Sequence, residues 1–333
     1  MIRLFNNNSA ITLIYLIVVL FILKSSYLYN NLPAVYYSGT PLNTLIFNSL
    51  PLGSIWIKLL AIPIILVQAI VLKRIIFKHD LLYKKTYLPA YFYILYSCTF
   101  LEQQVLSVAL IHNFFTFLLL DRAFSLYSSN KPYQTLLDMG FIVGVCTLLW
   151  VEYIFMLPFC IIAVNFFRPF IFKEFMMIVV AFLTPFIIAA AVFYLIDYTY
   201  LYAEYWDSLY FSFSQSKLFA WLDFSLISGT ILLILVLALL RLQRNFSRNT
   251  IKTKKSQQLI MLLLVTTLFV AASRPGNLFA NINLMLIPTA LFSGYYFLDS
   301  QRHWWSKYTK QFLGTGLFLL ILYFHWEDKL RLF

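Results

Sequence analysis

Residues 226–240 read LISGTILLILVLALL and residues 258–272 read QLIMLLLVTTLFVAA, and between these apolar runs lie Arg241, Arg244, Arg248, Lys252, Lys254 and Lys255. Each run approaches the roughly 20 apolar residues that a helix needs to cross a bilayer, and a cluster of cations closing an apolar run marks its cytoplasmic end. The segment therefore reads as span, inner loop, span. Working outward, the same pattern predicts spans near 10–24, 55–72, 177–196, 282–298 and 311–325. Two longer apolar stretches, 88–120 and 136–167, read as tight hairpins of two helices each. The first breaks near residues 100–104 (Phe-Leu-Glu-Gln-Gln) and the second near residues 150–153 (Trp-Val-Glu-Tyr). The expected fold is an all-α integral membrane protein of about eleven transmembrane helices in a single polytopic domain over residues 1–333.

The charges test that count. With the N-terminus inside, the inner loops take Arg3, the cations at 73–85, Arg122, Lys131, Arg168, Lys173, the run at 241–255, Arg302, Lys307 and Lys310. Only Lys24, Lys58, Lys217, Arg274, Lys329 and Arg331, six of the 25 Lys and Arg, fall outside. Such an asymmetry is what the positive-inside rule demands, with the C-terminus then outside. Orientation and attraction to anionic inner-leaflet lipid also account for the net charge of +12. Nucleic acid is not an expected partner, because the basic run at 241–255 is a short loop rather than a folded basic surface. A soluble domain is excluded too: 62% of the residues are hydrophobic and 11% charged, against roughly half and a quarter in soluble proteins. Cys98, Cys146 and Cys160 lie in apolar runs without CxxC spacing, so they read as small core hydrophobes and not as metal ligands or a disulfide framework. The first apolar run has no small-x-small cleavage site after it and reads as a retained helix.

The outer segments carry the candidate chemistry. Residues 25–54, with Asn30, Pro33, Gly39, Pro41 and the apolar 45–47 and 50–52, fit a short helix lying in the membrane interface, or a connecting loop with aromatic anchors. Residues 197–223 hold five tyrosines, Trp206 and the acids Asp197, Glu204 and Asp207 before Lys217. Tyr205, Trp206 and Asp207 suit either interfacial anchoring or the stacking and hydroxyl hydrogen bonds that hold a sugar ring. Between two late spans, Ser273-Arg274-Pro275-Gly276-Asn277 breaks the helix. Arg274 is there placed to grip a lipid-linked phosphate through its guanidinium fork, or to snorkel to headgroups. Glu102 and Glu152 sit in the two tight outer turns, where a carboxylate at the apolar boundary is costly unless partnered and so is a candidate for proton transfer as well as a solvated turn residue. His112 reads as a hydrogen-bonded core residue, and Asp121-Arg122 as a local ion pair or cap.

This layout resembles the GT-C superfamily of polyprenyl-phosphate-sugar-dependent glycosyltransferases. Residues 138–144 (Asp-Met-Gly-Phe-Ile-Val-Gly), running into Trp150-Val151-Glu152-Tyr153 and Leu157-Pro158, resemble its middle hairpin. Ser273-Arg274-Pro275 through Leu286-Ile287-Pro288 resembles its late segment for the substrate lipid. The chain as a whole also resembles an uncharacterised bacterial family of multi-pass membrane proteins. The resemblance implies an enzyme of the bacterial inner membrane acting at its outer face, with a lipid-linked sugar as donor and a divalent cation as the cofactor its acid would position. That family generally carries a catalytic acid in the first outer loop, whereas residues 25–54 contain none. The resemblance thus implies Glu102 as catalytic base, Glu152 in sugar or metal binding and Arg274 on the phosphate.

Two other classes remain open. Pro63, Pro158, Pro185 and Pro288 interrupt helices as in transporters and flippases, although no internal repeat accompanies them. Sparse polar chemistry with an apolar, aromatic surface also suits a non-catalytic subunit of an envelope complex.

Overall fold

The computed structural model describes residues 2–6, 9–29, 54–99, 106–127, 132–169, 171–198, 225–246, 250–273, 278–298 and 304–330. Among these lie eleven α-helices, two short 3-10 turns (Ile2–Asn6 and Val151–Phe155) and no strand. In chain order the helices are α1 (Ala10–Tyr29), α2 (Ser54–Lys78), α3 (Leu88–Ser97), α4 (Val108–Ser125), α5 (Pro132–Leu149), α6 (Met156–Phe167), α7 (Phe172–Leu195), α8 (Ser225–Asn245), α9 (Ile251–Ser273), α10 (Leu278–Leu298) and α11 (Trp304–Leu330). The two apolar hairpins each contain two helices, α3 with α4 and α5 with α6. The interfacial helix expected within residues 25–54 falls largely outside the described residues.

Local chemistry fixes many of the helix ends. Ser107 caps α4 by accepting the Leu110 N–H at 3.2 Å, and proline opens α5 at its first position, where no N–H is needed. α2 and α7 close alike. Asp80 (φ 52°) and Asp197 (φ 60°) adopt the left-handed conformation that aspartate tolerates, and the next amide reaches back five residues, Leu81 N to Ile76 O at 3.1 Å and Tyr198 N to Phe193 O at 3.0 Å.

Six helices, α2, α4, α5, α7, α8 and α9, are long and apolar enough to cross a membrane, which is the make-up of a multi-pass membrane protein. α7 and α8 are the least covered by the rest of the chain, with Val180, Ile187, Ile188, Leu226 and Leu232 facing outward. α3 is the opposite case. Its 10 residues extend only about 15 Å, half the roughly 30 Å hydrocarbon core, and every one of them is buried. α10, α2 and α1 surround it. Pro89 of α3 sits where Gly294 of α10 leaves room, and the Phe92 and Phe297 rings lie 4.6 Å apart. The 3-10 turn at the N-terminus covers its start, with Phe5 stacked on Tyr91 at 4.4 Å and accepting the Tyr87 N–H at 3.0 Å.

α5 and α7 pack side by side in parallel, connected along the chain by the returning α6. A Cβ at Gly140 would stand 2.4 Å from Ile178 O, and one at Gly144 would stand 2.4 Å from Phe182 O. The matching steps of four on both helices set the direction, and the small residues let the backbones meet, as in small-xxx-small membrane contacts.

One end of the bundle is basic and ion-paired. Asp121 of α4 accepts from Lys78 at 2.7 Å and contacts His79 at 2.8 Å, Arg122 reaches Asp138 at 3.3 Å, and Lys252 reaches Asp80 at 3.6 Å. The Asp121-Arg122 pair is therefore not a local one: each member ties α4 to a different neighbour, a consequence of adjacent residues pointing about 100° apart on a helix. Tyr83 donates to Leu298 O at the same end.

The glycine contacts give a direct test. Gly140→Leu and Gly144→Leu should each lower the stability of the detergent-solubilised protein by at least the roughly 1–3 kcal/mol typical of overpacking, while Gly229→Ala, with open space at its Cβ, should change the melting temperature little. Equal melting temperatures for all three variants would contradict this packing.

Candidate functional site

At the end of the bundle opposite the ion pairs, three segments that are distant in sequence meet. The turn after α5 places Trp150 against Val108 and Ala109 at the start of α4, and the Trp150 Nε1–H donates to Asn281 Oδ1 of α10 at 2.9 Å. Two residues on, Glu152 lies in the 3-10 turn at 2% exposure, a carboxylate held inside protein. The local sequence dictates this turn: Trp150 is extended (φ −152°, ψ 106°), which stops α5 and redirects the chain into Val151–Phe155. That turn packs on α9.

Below this end a polar seam runs through the core. Thr116 and Tyr153 hydroxyls pair at 2.9 Å, Asn113 donates to the Tyr93 hydroxyl at 3.0 Å, and that hydroxyl donates to Gln68 Oε1 at 2.8 Å. Gln68 in turn donates to Leu110 O at 2.6 Å. His112 places both ring nitrogens on backbone carbonyls, Val108 O at 2.7 Å and Cys146 O at 3.1 Å, with its ring 5.4 Å from that of Tyr153. Its role is structural, as the sequence suggests. Three buried amide atoms, Asn113 Oδ1, Asn281 Nδ2 and Asn283 Oδ1, find no partner among the described residues. Such atoms are costly unless water or a ligand satisfies them.

Of the residues selected from sequence, Glu152 is the one whose position is described. Glu102, Tyr205, Trp206, Asp207 and Arg274 lie outside the described residues. The helices that follow two of them are described: α4 begins five residues after Glu102 at its cap Ser107, and α10 begins four residues after Arg274. Both helix starts are joined to the Trp150–Glu152 turn, through the Val108–Ala109 contact and the Asn281 hydrogen bond.

Sequence reasoning missed several residues here. Lys24 and Lys58, read as outward cations, are buried in the bundle, Lys24 beside Cys98. Asn281 and Asn283 look like ordinary helix-start residues in sequence, yet both are buried. The available signal was the pairing of two amides at alternate positions inside a run otherwise fit to span. A divalent cation finds no ready cage: among the described residues no three His, Cys, Asp or Glu side chains cluster. Glu152 alone is too few ligands, so no step is assigned to a metal.

Residues 44–331 match the DUF6427 family, a family of unknown function, and the chain belongs to it. No curated protein and no solved structure matches the chain.

The Trp150–Asn281 hydrogen bond should be energetically visible. Asn281→Ala leaves the indole N–H buried without its acceptor and should cost about 1–3 kcal/mol. A double-mutant cycle with Trp150→Phe should return a coupling of about 1 kcal/mol in unfolding measurements, and additive effects would show that the two residues do not interact.

Proposed function

We propose that this DUF6427 protein is a GT-C-like glycosyltransferase of the bacterial inner membrane that takes its sugar from a polyprenyl-phosphate donor at the outer face. In this reading the chain crosses the membrane about eleven times, with α3 and α6 too short to span it on their own. The basic, ion-paired end is cytoplasmic together with the N-terminus, and the C-terminus is outside. The observation that carries the reading is the meeting, at the end away from the basic residues, of buried Glu152, the Trp150–Asn281 pair and the starts of the two helices that follow Glu102 and Arg274.

The chemistry assigned to these residues is compact. Glu102 takes the proton of an acceptor hydroxyl, and that oxygen attacks the anomeric carbon of the donor sugar. The bond from that carbon to the phosphate oxygen breaks, and polyprenyl phosphate leaves with the electron pair while Arg274 matches its charge. Glu152 hydrogen-bonds sugar hydroxyls, and Tyr205, Trp206 and Asp207 supply a stacking face and a further acceptor.

A second reading, a non-catalytic subunit of an envelope complex, draws on the lack of any acid in residues 25–54.

Turnover of polyprenyl-phosphate sugars by the protein in nanodiscs separates the two. The wild type should transfer sugar, and Glu102→Gln should lose about 10²–10⁴-fold of that rate while keeping its helical content. Neither binding nor turnover across several donors would overturn the transferase reading and leave the subunit reading in place.

A further inference from the structure

Seven cations and no acid lie between residues 224 and 298, a span of chain that holds α8, α9 and α10. α8 and α9 are consecutive, and both pack on α10. Between the last turns of α8 and the first turns of α9 this leaves a cleft of about 410 Å³ at the basic end of the bundle, lined by Leu239, Leu240, Leu242, Phe246 and Met261 with Gln243, Gln257 and Gln258. Its inner wall continues into a smaller hollow backed by Leu291, Phe292 and Tyr295 of α10.

The distribution of polarity along this cleft is ordered. Leu240 and Met261 are outward-facing apolar residues. One turn toward the basic end from Leu240 stands Arg244, exposed, and one turn toward the same end from Gln258 stands Lys254. Lys254 Nζ lies 5.7 Å from the centre of the Phe246 ring, which itself lines the cleft. Lys252, two residues before Lys254, is turned instead to Asp80 at 3.6 Å. A polar amide belt of Gln243 and Gln258 separates these cations from the apolar wall.

An apolar slot opening on the side of a membrane helix bundle, topped by amides and then by cations at the level of the headgroups, has the profile of one kind of ligand. We infer that the α8–α9 cleft is a binding site for an anionic phospholipid, with an acyl chain against Leu239, Leu240 and Met261 and the headgroup phosphate held between Arg244 and Lys254. The inference is independent of the transferase reading, since it uses neither Glu102 nor the far end of the bundle. Charge complementarity selects the occupant: a zwitterionic lipid would fill the same slot, but its own cation offsets what its phosphate gains from Arg244 and Lys254.

The test uses the full-length protein in detergent, titrated with phosphatidylglycerol and with phosphatidylcholine of identical chains and followed by native mass spectrometry. Phosphatidylglycerol should bind at least about ten-fold more tightly than phosphatidylcholine, and the double variant Arg244→Gln/Lys254→Gln should remove most of that preference, since each cation near a lipid surface contributes several-fold. Met261→Trp, which fills the slot without touching the charge, should weaken both lipids. Helical content and elution volume of the variants establish that the fold is kept. Equal affinity for the two lipids in the wild type, or a preference unchanged in the double variant, would overturn the site. So would unchanged binding of both lipids by Met261→Trp.

Discussion

A helix that ends inside the apolar thickness of a membrane leaves backbone carbonyls and amides that lipid cannot satisfy, and α3 is short enough to face that constraint. At about 15 Å it cannot reach from one headgroup layer to the other, so it must be enclosed by protein on every side. The rest of the bundle is arranged around that requirement. The Cys98 and Thr99 amides turn back onto Ile94 O and Tyr96 O, and the Thr99 hydroxyl onto Leu95 O, while Ser97 binds Ile94 O through its side chain. The Tyr93 and Tyr96 hydroxyls, which would each be expensive in an apolar core, find Gln68 of α2, Asn113 of α4 and Ser293 of α10. Those bonds in turn fix which faces of α2, α4 and α10 point inward.

From this core the two ends of the molecule diverge in character. At one end short ion pairs link α2, α4, α5 and α9, each partly exposed and each worth little in isolation, so they register helices more than they stabilise them. At the other end the links are a tryptophan–asparagine hydrogen bond and a buried carboxylate in a 3-10 turn, with amide atoms of Asn281 and Asn283 that find no partner among the described residues. Buried polar atoms of this kind are expensive, and the proposed chemistry is placed at this end because the buried Glu152 carboxylate and the Trp150–Asn281 pair meet there.

The membrane-helical class was legible because composition and run length are properties of single segments. Each apolar run selected in sequence corresponds to a helix, and the interruptions near residues 100 and 150 separate pairs of helices. The shortness of α3 was not legible. LPAYFYILYS is as apolar as a spanning run, and only its burial on all sides sets it apart. Likewise Gly140 and Gly144 are visible as small residues, but that they admit Ile178 and Phe182 carbonyls depends on α7 running parallel to α5, a tertiary fact. Of the candidate site, the outer-turn acid Glu152 was found because a carboxylate at an apolar boundary is conspicuous. Asn281, Lys24 and Lys58 were passed over because their neighbours in space belong to other helices.

The most direct measurement is labelling from within the bilayer. The protein, reconstituted in vesicles containing a lipid whose acyl chain carries a photoactivated carbene precursor, is irradiated, and the labelled peptides are mapped by mass spectrometry. Full enclosure of α3 predicts dense labelling over residues 180–196 and 226–240 and none over residues 88–97. Labelling of residues 88–97 at the level seen in α7 would show that α3 faces lipid, and would remove the constraint on which this account of the bundle rests.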